Sequence, residues 1–509
     1  MPAKKERNII LAISVITILL HLFSNAFANY GIFRDEFYYL ACSNRLDLGY
    51  VDQPPFSIYI LAIIKFIFGD SLFVIRFLPA ILHGAIVYLA GLMSLKMGGG
   101  KTAITISCIA VALAPEILGN HTIYSMNSFD FLFWSLTAFM LILIIQNENK
   151  NLWILLGFIL GLGLLNKVGV LWLCFGVFIA LLLTPYRKHL KTFSPWLSFL
   201  IAFIIFVPFI IWNFTHDFAH LEFIKNALKY KYSGLTAMDF IAGQFMNLNP
   251  FSSIVWIAGL YFFFFNKEGK KYMMIGILYL SVFLILILNG HSKAGYLAPA
   301  YPMLYAGGGI LIEKVSQLKN WRWFRFVVVT LLLASGILFI PFALPILPVQ
   351  KYISYSKTLG QAPSTSENKE LAELPQFYAD MFGWKDLAKD VSNVYESLSE
   401  NEKETTVVYC NNYGEAGAIE YYSKTFELPP VVCPHNNYWF WWDLNKKVTT
   451  VIVLDGKEEH HLSSLKEVKV VAIHKSKYSM PYENNLSIFV CRGLKRSIKE
   501  IHKSDKHYD

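Results

Sequence analysis

Asp35 and Glu36 stand side by side just past the first long apolar run of the chain. The surrounding stretch, residues 30–55, also holds Tyr30, Arg34, Tyr38, Tyr39, Asp47, Tyr50, Asp52, Gln53, Pro54 and Pro55. An ionisable side chain at membrane depth is costly, so acids gathered at the end of an apolar helix need a reason to be there. Two neighbouring carboxylates can divide the work of a reaction. One takes a proton from a hydroxyl, while the other holds a hydroxyl or, with a further acid such as Asp52, a divalent metal. Taken alone, the Asp35-Glu36 pair also reads as an ordinary solvated loop. Asp130 follows the polar segment from Asn120 to Ser128 and opens another apolar run, where it reads as a helix cap or dipole partner. His216, Asp217 and His220 fall in a long loop, residues 214–247, that suits a mobile gate, and their spacing matches no metal set. The six cysteines show no Cys-x2-Cys spacing; Cys410, Cys433 and Cys491 lie where an oxidising compartment would permit one disulfide.

These groups need a frame, and composition supplies it. The chain has 509 residues, 55% of them hydrophobic and 16% aromatic, with charges distributed unevenly. Its mean hydropathy of +0.43 is outside the range of soluble domains. Of its 81 Asp, Glu, Lys and Arg residues, 39 fall in residues 1–350 and 42 in the remaining 159, so the solvent changes near residue 350. Before that point apolar runs recur at about the length a ~30 Å hydrocarbon core requires. Eleven are expected to span, near residues 9–29, 72–95, 102–118, 129–146, 151–165, 168–184, 196–213, 251–265, 272–289, 297–313 and 325–347. The first follows Lys4, Lys5 and Arg7 without a small-residue cleavage site and reads as a signal anchor. Residues 56–69 are too short for a span and suit an interfacial helix. With the N-terminus inside, the inner segments hold sixteen Lys and Arg against four acids, which places the C-terminal region outside. The bases are therefore where topology needs them, and the net charge of +9 does not mark a nucleic-acid binder.

The expected organisation is a polytopic α-helical membrane domain, residues 1–350, with an outer loop at 30–71, a linker at 351–383 and a soluble α/β domain at 384–509. In that last part the pattern predicts helices at 384–398 and 415–422 and strands at 405–409, 448–454 and 468–473. The aromatic run Phe262–Phe265 reads as membrane packing. The run Trp439–Trp442 reads either as an acceptor platform or as a surface resting on the bilayer.

The segment Gly49-Tyr50-Val51-Asp52-Gln53-Pro54-Pro55, following the Asp-Glu pair, resembles the bacterial lipid-linked sugar transferases of glycosyltransferase family 39, related to protein O-mannosyltransferases and aminoarabinose transferase. Further segments are similar to that family in the same order: Leu165–Gly169, Ser292–Pro302, Tyr378–Trp384 and Asn412–Ala418. The resemblance implies a GT-C membrane fold, a polyprenyl-phosphate-linked sugar as donor and an extracytoplasmic acceptor, with the enzyme in the cell (inner) membrane. It also implies that the first acid of the pair, Asp35, is the base, with Glu36 beside it. One departure matters: relatives carry Lys before the Pro-Pro pair, whereas this chain carries the neutral Gln53.

Transfer from a polyprenyl phosphate to a hydroxyl needs a base for the acceptor and cations for the departing phosphate. Lys293 and Lys167, in outer turns, are the candidates for that charge, with Arg34 and Arg76 behind them and Tyr50 and Gln53 as neutral donor contacts. Snorkelling from a helix end is the alternative for Lys167. Asp52, Asp130, Tyr39 and Tyr296 are second-rank sugar or metal contacts, and Glu36 with Asp52 would be the metal pair. The reaction expected is an inverting hexosyl or pentosyl transfer. A transporter or lipid flippase is the competing class, disfavoured by the absence of a repeat or an inverted pair of broken helices in the sequence.

Overall fold

The computed structural model describes residues 4–147, 149–365, 367 and 369–508. The apolar part runs α1 (Lys4–Phe27), α2 (Arg34–Ser43), α3 (Phe56–Phe68), α4 (Leu72–Lys96), α5 (Lys101–Ala112), α6 (Pro115–Asn120), α7 (Met126–Gln146) and α8 (Asn151–Asn166). It continues through α9 (Val170–Leu182), α10 (Phe193–Thr215), α11 (Ala219–Asn226), α12 (Ala237–Met246), α13 (Ser253–Phe265), α14 (Met273–Leu288), α15 (Tyr301–Gln317) and α16 (Phe324–Ala343).

The protein is a helical polytopic membrane protein with six helices long and apolar enough to cross a bilayer, or up to eight if two bent pairs each count as one span. All eleven expected runs are largely helical, but several fall short of a full crossing. The run at 102–118 breaks before Pro115, because proline cannot continue a helix it does not begin. The run at 251–265 is preceded by α12 at a 90° bend, and α9 turns by 105° into the short helix Pro185–Lys191. Close helix approach relies on small residues, as at Gly157 and Gly161 of α8. A Cβ on Gly157 would lie 2.7 Å from the Ser198 carbonyl of α10. Helix α3, expected at the interface, exposes Ile63, Phe66, Ile67 and Phe68.

Beyond α16 come α17 (Val349–Thr358) and α18 (Gln376–Ala379), both within or beside the linker stretch. That stretch is packed: Tyr352, Leu374, Tyr378 and Met381 share a core with Tyr30 and Phe33, just ahead of α2. The outer part then folds as α19 (Trp384–Glu396), α20 (Glu400–Lys403), β1 (Thr406–Tyr409), α21 (Tyr413–Tyr422), β2 (Val431–Val432) and β3 (Thr450–Leu454). It ends with α22 (Glu458–Leu462), β4 (Leu465–His474), β5 (Leu486–Leu494) and α23 (Ile498–Asp505). The sheet order is β2-β1-β3-β5-β4, with β1 parallel to both neighbours and β5 antiparallel between β3 and β4. The helices and strands expected at 384–473 are present. Strand β5, with its Ile488-Phe489-Val490-Cys491 centre, escaped the sequence pattern although it lies inside the sheet.

One face of this sheet, through Val408, Ile452, Ile488 and Val490, joins the same core as Phe37 and Tyr38 of α2. Helix α21 lies directly on α2: a Cβ on Gly417 would come 2.7 Å from Phe37 Cβ, and one on Gly414 would come 2.4 Å from Arg34 Cγ. The outer domain is thus seated on the helix that begins with the acid pair.

Candidate active site

Helix α2 begins at Arg34 because Glu36, its third residue, reaches back to accept the Phe33 N–H (2.9 Å), while the Arg34 N–H donates to the Asp380 carbonyl (3.0 Å). The two acids of the pair then diverge. Glu36 is fully buried and accepts from Arg76 Nε (2.9 Å), Arg76 Nη2 (2.7 Å) and the Tyr124 N–H (2.9 Å) as well. Its oxygens are committed, and they tie α2 to α4 and to the segment entering α7. Among the described residues no group of three or more His, Cys, Asp and Glu is placed to hold a metal ion, and Glu36 with Asp52 does not form one. Bidentate pairing with a buried guanidinium, together with two backbone N–H donors, occupies both Glu36 oxygens and sets it apart from its neighbour Asp35. Arg76 is held by that pairing and also donates to the Gly31 carbonyl at 3.0 Å.

Asp35 is the accessible member. Its side chain is 38% exposed, Oδ1 accepts from the Tyr413 hydroxyl at 2.8 Å, and Arg34 Nε lies 3.5 Å from the same oxygen. Arg34 is itself anchored, donating to the Tyr482 hydroxyl (2.7 Å), with its guanidinium over the Tyr413 ring (5.4 Å) and 4.0 Å from Asp380. Asp380 is buried, and burial pushes its carboxyl up to about 6 against the pull of Arg34. Asp52, partly buried, is pushed up to about 7 by burial, with Asp35 adding to the rise while its own backbone N–H, the Tyr38 hydroxyl and Lys231 oppose it. Tyr39, expected as a sugar contact, is buried and accepts the Met126 N–H at 3.0 Å.

A cationic group forms the other half of the site. Lys167 Nζ donates to Asn127 Oδ1 (2.9 Å) and to Asp130 (3.1 Å) and faces the Tyr296 ring at 5.5 Å. Lys293 lies over the Tyr232 ring (4.5 Å) and 3.8 Å from Glu367. Burial raises the Tyr296 phenol, and the charges of both Lys293 and Lys167 oppose that rise although 126 positions separate the two lysines in the chain. Burial alone would raise the Glu367 carboxyl, but Lys231, Arg34 and Lys293 hold it at about 2. Glu367 is therefore the link between the lysine group and the Arg34–Asp35 end.

Other expectations are relocated. The Tyr50 hydroxyl donates to the Arg45 and Cys42 carbonyls and is fully buried, so it ties the loop rather than facing a donor. Gln53 is also fully buried, its backbone carbonyl taking the Tyr50 N–H. Among the described residues its side-chain amide has no hydrogen-bond partner. His220 donates to the Val51 carbonyl (2.9 Å) and His216 stacks on Trp212, so both brace the loop. The Trp439–Trp442 run is internal packing: Trp439 donates to the His502 carbonyl, Trp442 to the Cys433 carbonyl, and Arg45 covers Trp441. All six cysteines are free thiols. Sequence reasoning matched the segments around Tyr378–Trp384 and Asn412–Ala418 but did not single out Asp380, Tyr413 or Glu367. Nothing in local spacing marks them.

With this geometry in view, the likeness to solved structures is informative. Over 95% of this chain and 97% of the other, the structure superposes on ArnT from Cupriavidus metallidurans bound to undecaprenyl phosphate, with a TM-score of 0.59 at 12% identity. The apo state of the same protein gives the same values. The fold is that of ArnT, a GT-C fold. Residues 52–212 match the dolichyl-phosphate-mannose-protein mannosyltransferase family, in agreement with the resemblance carried by the Tyr50–Pro55 segment. The apo oligosaccharyltransferase of Archaeoglobus fulgidus is more distant, with a TM-score of 0.49 at 14% identity over 87% of this chain and 69% of that one. No curated protein sequence matches the chain.

Proposed function

We propose that this chain is a membrane glycosyltransferase that moves a sugar from a polyprenyl-phosphate-linked donor to an extracytoplasmic acceptor, with Asp35 as the base. The observation that carries the assignment is the division of the acid pair: Glu36 is consumed by Arg76, and Asp35 stays accessible at the positive end of α2. The family match over residues 52–212 and the fold shared with an undecaprenyl-phosphate-bound ArnT support a lipid-phosphate donor.

In this reading Asp35 takes the proton of the acceptor hydroxyl as its oxygen attacks the anomeric carbon. The carbon–oxygen bond to phosphate breaks on the opposite face, which inverts the centre. Lys167 and Lys293 receive the departing phosphate. Each is already paired with an acid, Asp130 and Glu367, so an arriving phosphate shares or displaces that partner. Arg34, by its contact with Asp35, belongs to the base end rather than to the phosphate. The reading includes eleven crossings with the N-terminus inside, residues 1–350 as the catalytic membrane domain, and the site and outer domain on the extracytoplasmic face of the cell membrane. Asp35→Asn tests it: transfer is abolished while the protein remains folded and inserted, and full retained activity would remove Asp35 as the base.

A further inference from the structure

Tyr413 belongs to α21 of the outer domain, 378 positions from Asp35, yet its hydroxyl meets Asp35 Oδ1 at 2.8 Å. Its ring is held on three sides, by Tyr38 (4.9 Å between centroids), by His435 (4.7 Å) and by the Arg34 guanidinium (5.4 Å). Ahead of it, Asn412 caps α21 by accepting the Gly414 and Glu415 N–H groups, and Gly414 permits contact with Arg34 that no larger residue would allow. The hydroxyl is thus placed by a rigid set of contacts. Burial and the adjacent Asp35 raise the Tyr413 phenol well above its usual range, while Arg34 opposes them, so it remains a donor.

The consequence falls on Asp35. Oδ1 is occupied by Tyr413 and faced by Arg34, whereas among the described residues no hydrogen bond reaches Oδ2. A carboxylate with one oxygen pinned has a fixed rotamer and a single oxygen for incoming protons. We propose that Tyr413 is a positioning residue contributed by the outer domain: it pins Asp35 Oδ1 and leaves Oδ2 as the oxygen that accepts the acceptor's proton. This rests on the glycosyltransferase reading above. The groups facing Asp35 are Arg34 and Tyr39 from α2, Asp52 from the following loop, Tyr232, Asp380 and Tyr413. Among the described residues, only Tyr413 donates a hydrogen bond to it.

The Tyr413 hydroxyl donates to the oxygen that the base form of Asp35 presents, so its loss removes support from the form that accepts the proton. In the full-length protein, Tyr413→Phe is expected to move the acidic limb of the kcat/KM profile upward by about one pH unit. At a pH on that limb this is roughly a tenfold loss, recovered in part at higher pH, with both substrate KM values within about twofold of the unmodified protein. Incorporating 3-fluorotyrosine at position 413, which keeps the ring and makes the hydroxyl a stronger donor, moves the limb the other way and stays informative should the phenylalanine variant fold poorly. Tyr438→Phe removes a buried hydroxyl that donates to Glu420 in the same domain and leaves the limb in place. If Asp35→Asn is inactive but both changes at 413 give the unmodified profile, the positioning role is overturned and the glycosyltransferase reading stands. If Asp35→Asn is active, both fall.

Discussion

Glu36→Gln separates a structural acid from a catalytic one. Glu36 is fully buried, and its two oxygens accept four close hydrogen bonds, two of them from a guanidinium that is itself 4% exposed. Glutamine has nearly the same shape but turns one oxygen into an NH2, which must face an N–H donor at one of those contacts. Leaving a buried donor unpaired costs about 1–3 kcal/mol. The larger effect is Arg76, whose charge loses its partner in a dry site; breaking a buried pair from one side costs about 3–5 kcal/mol, and this figure already contains the lost hydrogen bond. Asp35→Asn, in a site 38% exposed and with an oxygen still able to accept from Tyr413, is expected to cost under about 1 kcal/mol. Thermal unfolding of detergent-solubilised protein, read by loss of the monodisperse species, compares the two. Glu36→Gln melts well below the unmodified protein and loses activity with its folded fraction, whereas Asp35→Asn melts normally and is inactive. Replacing both partners, Glu36→Leu with Arg76→Met, recovers much of the lost stability because neither charge is then stranded. A Glu36→Gln variant that melts normally yet transfers no sugar would refute the reasoning and return Glu36 to the chemistry.

Other predictions follow from the same geometry. Lys293→Ala weakens use of the lipid-linked donor more than use of the acceptor, read as separate KM changes; equal effects would count against a phosphate role. Asp52 has a folded-state pKa of about 7, above its unfolded value of 3.8, so the native state holds the extra proton and the stabilising effect of that proton is lost as pH rises between those values. Asp52→Asn is accordingly expected to gain melting temperature over the unmodified protein as pH increases from about 4 to about 7, and a gap independent of pH would contradict the buried-carboxyl assignment. A reporter fused after residue 355 reads extracytoplasmic, and a cytoplasmic signal would defeat the eleven-crossing arrangement and put the site on the wrong face.

Much of the site was legible in the sequence because it is local. The acid pair and the Tyr50–Pro55 segment lie within one short loop, and Lys167 and Lys293 each sit in a turn between apolar runs. Their convergence on Tyr296 was not legible, since it depends on how α7, α8 and the segment before α15 pack. The same limit hides the division of the acid pair: Asp and Glu in adjacent helical positions project at about 100° to one another, so the Asp35 side chain is left 38% exposed while Glu36 is buried against Arg76. Tyr50 illustrates it again, because a segment can carry family resemblance while one of its side chains turns inward to brace the loop. Asp380, Glu367 and Tyr413 come from beyond residue 350, and no spacing rule spans that distance. Fewer single helices reach full crossing length than the apolar runs in the sequence, because hydropathy does not register the break before Pro115 or the bend between α12 and α13.

The central claim is tested most directly by reconstituting the purified protein in liposomes with a polyprenyl-phosphate-linked sugar and an acceptor mixture from the cell envelope, and following the lipid by mass spectrometry. The account predicts that free polyprenyl phosphate accumulates as sugar appears on an acceptor, in equal amounts, and that neither occurs with Asp35→Asn. Movement of the intact lipid-linked sugar across the bilayer without its cleavage, unaffected by Asp35→Asn, would contradict it.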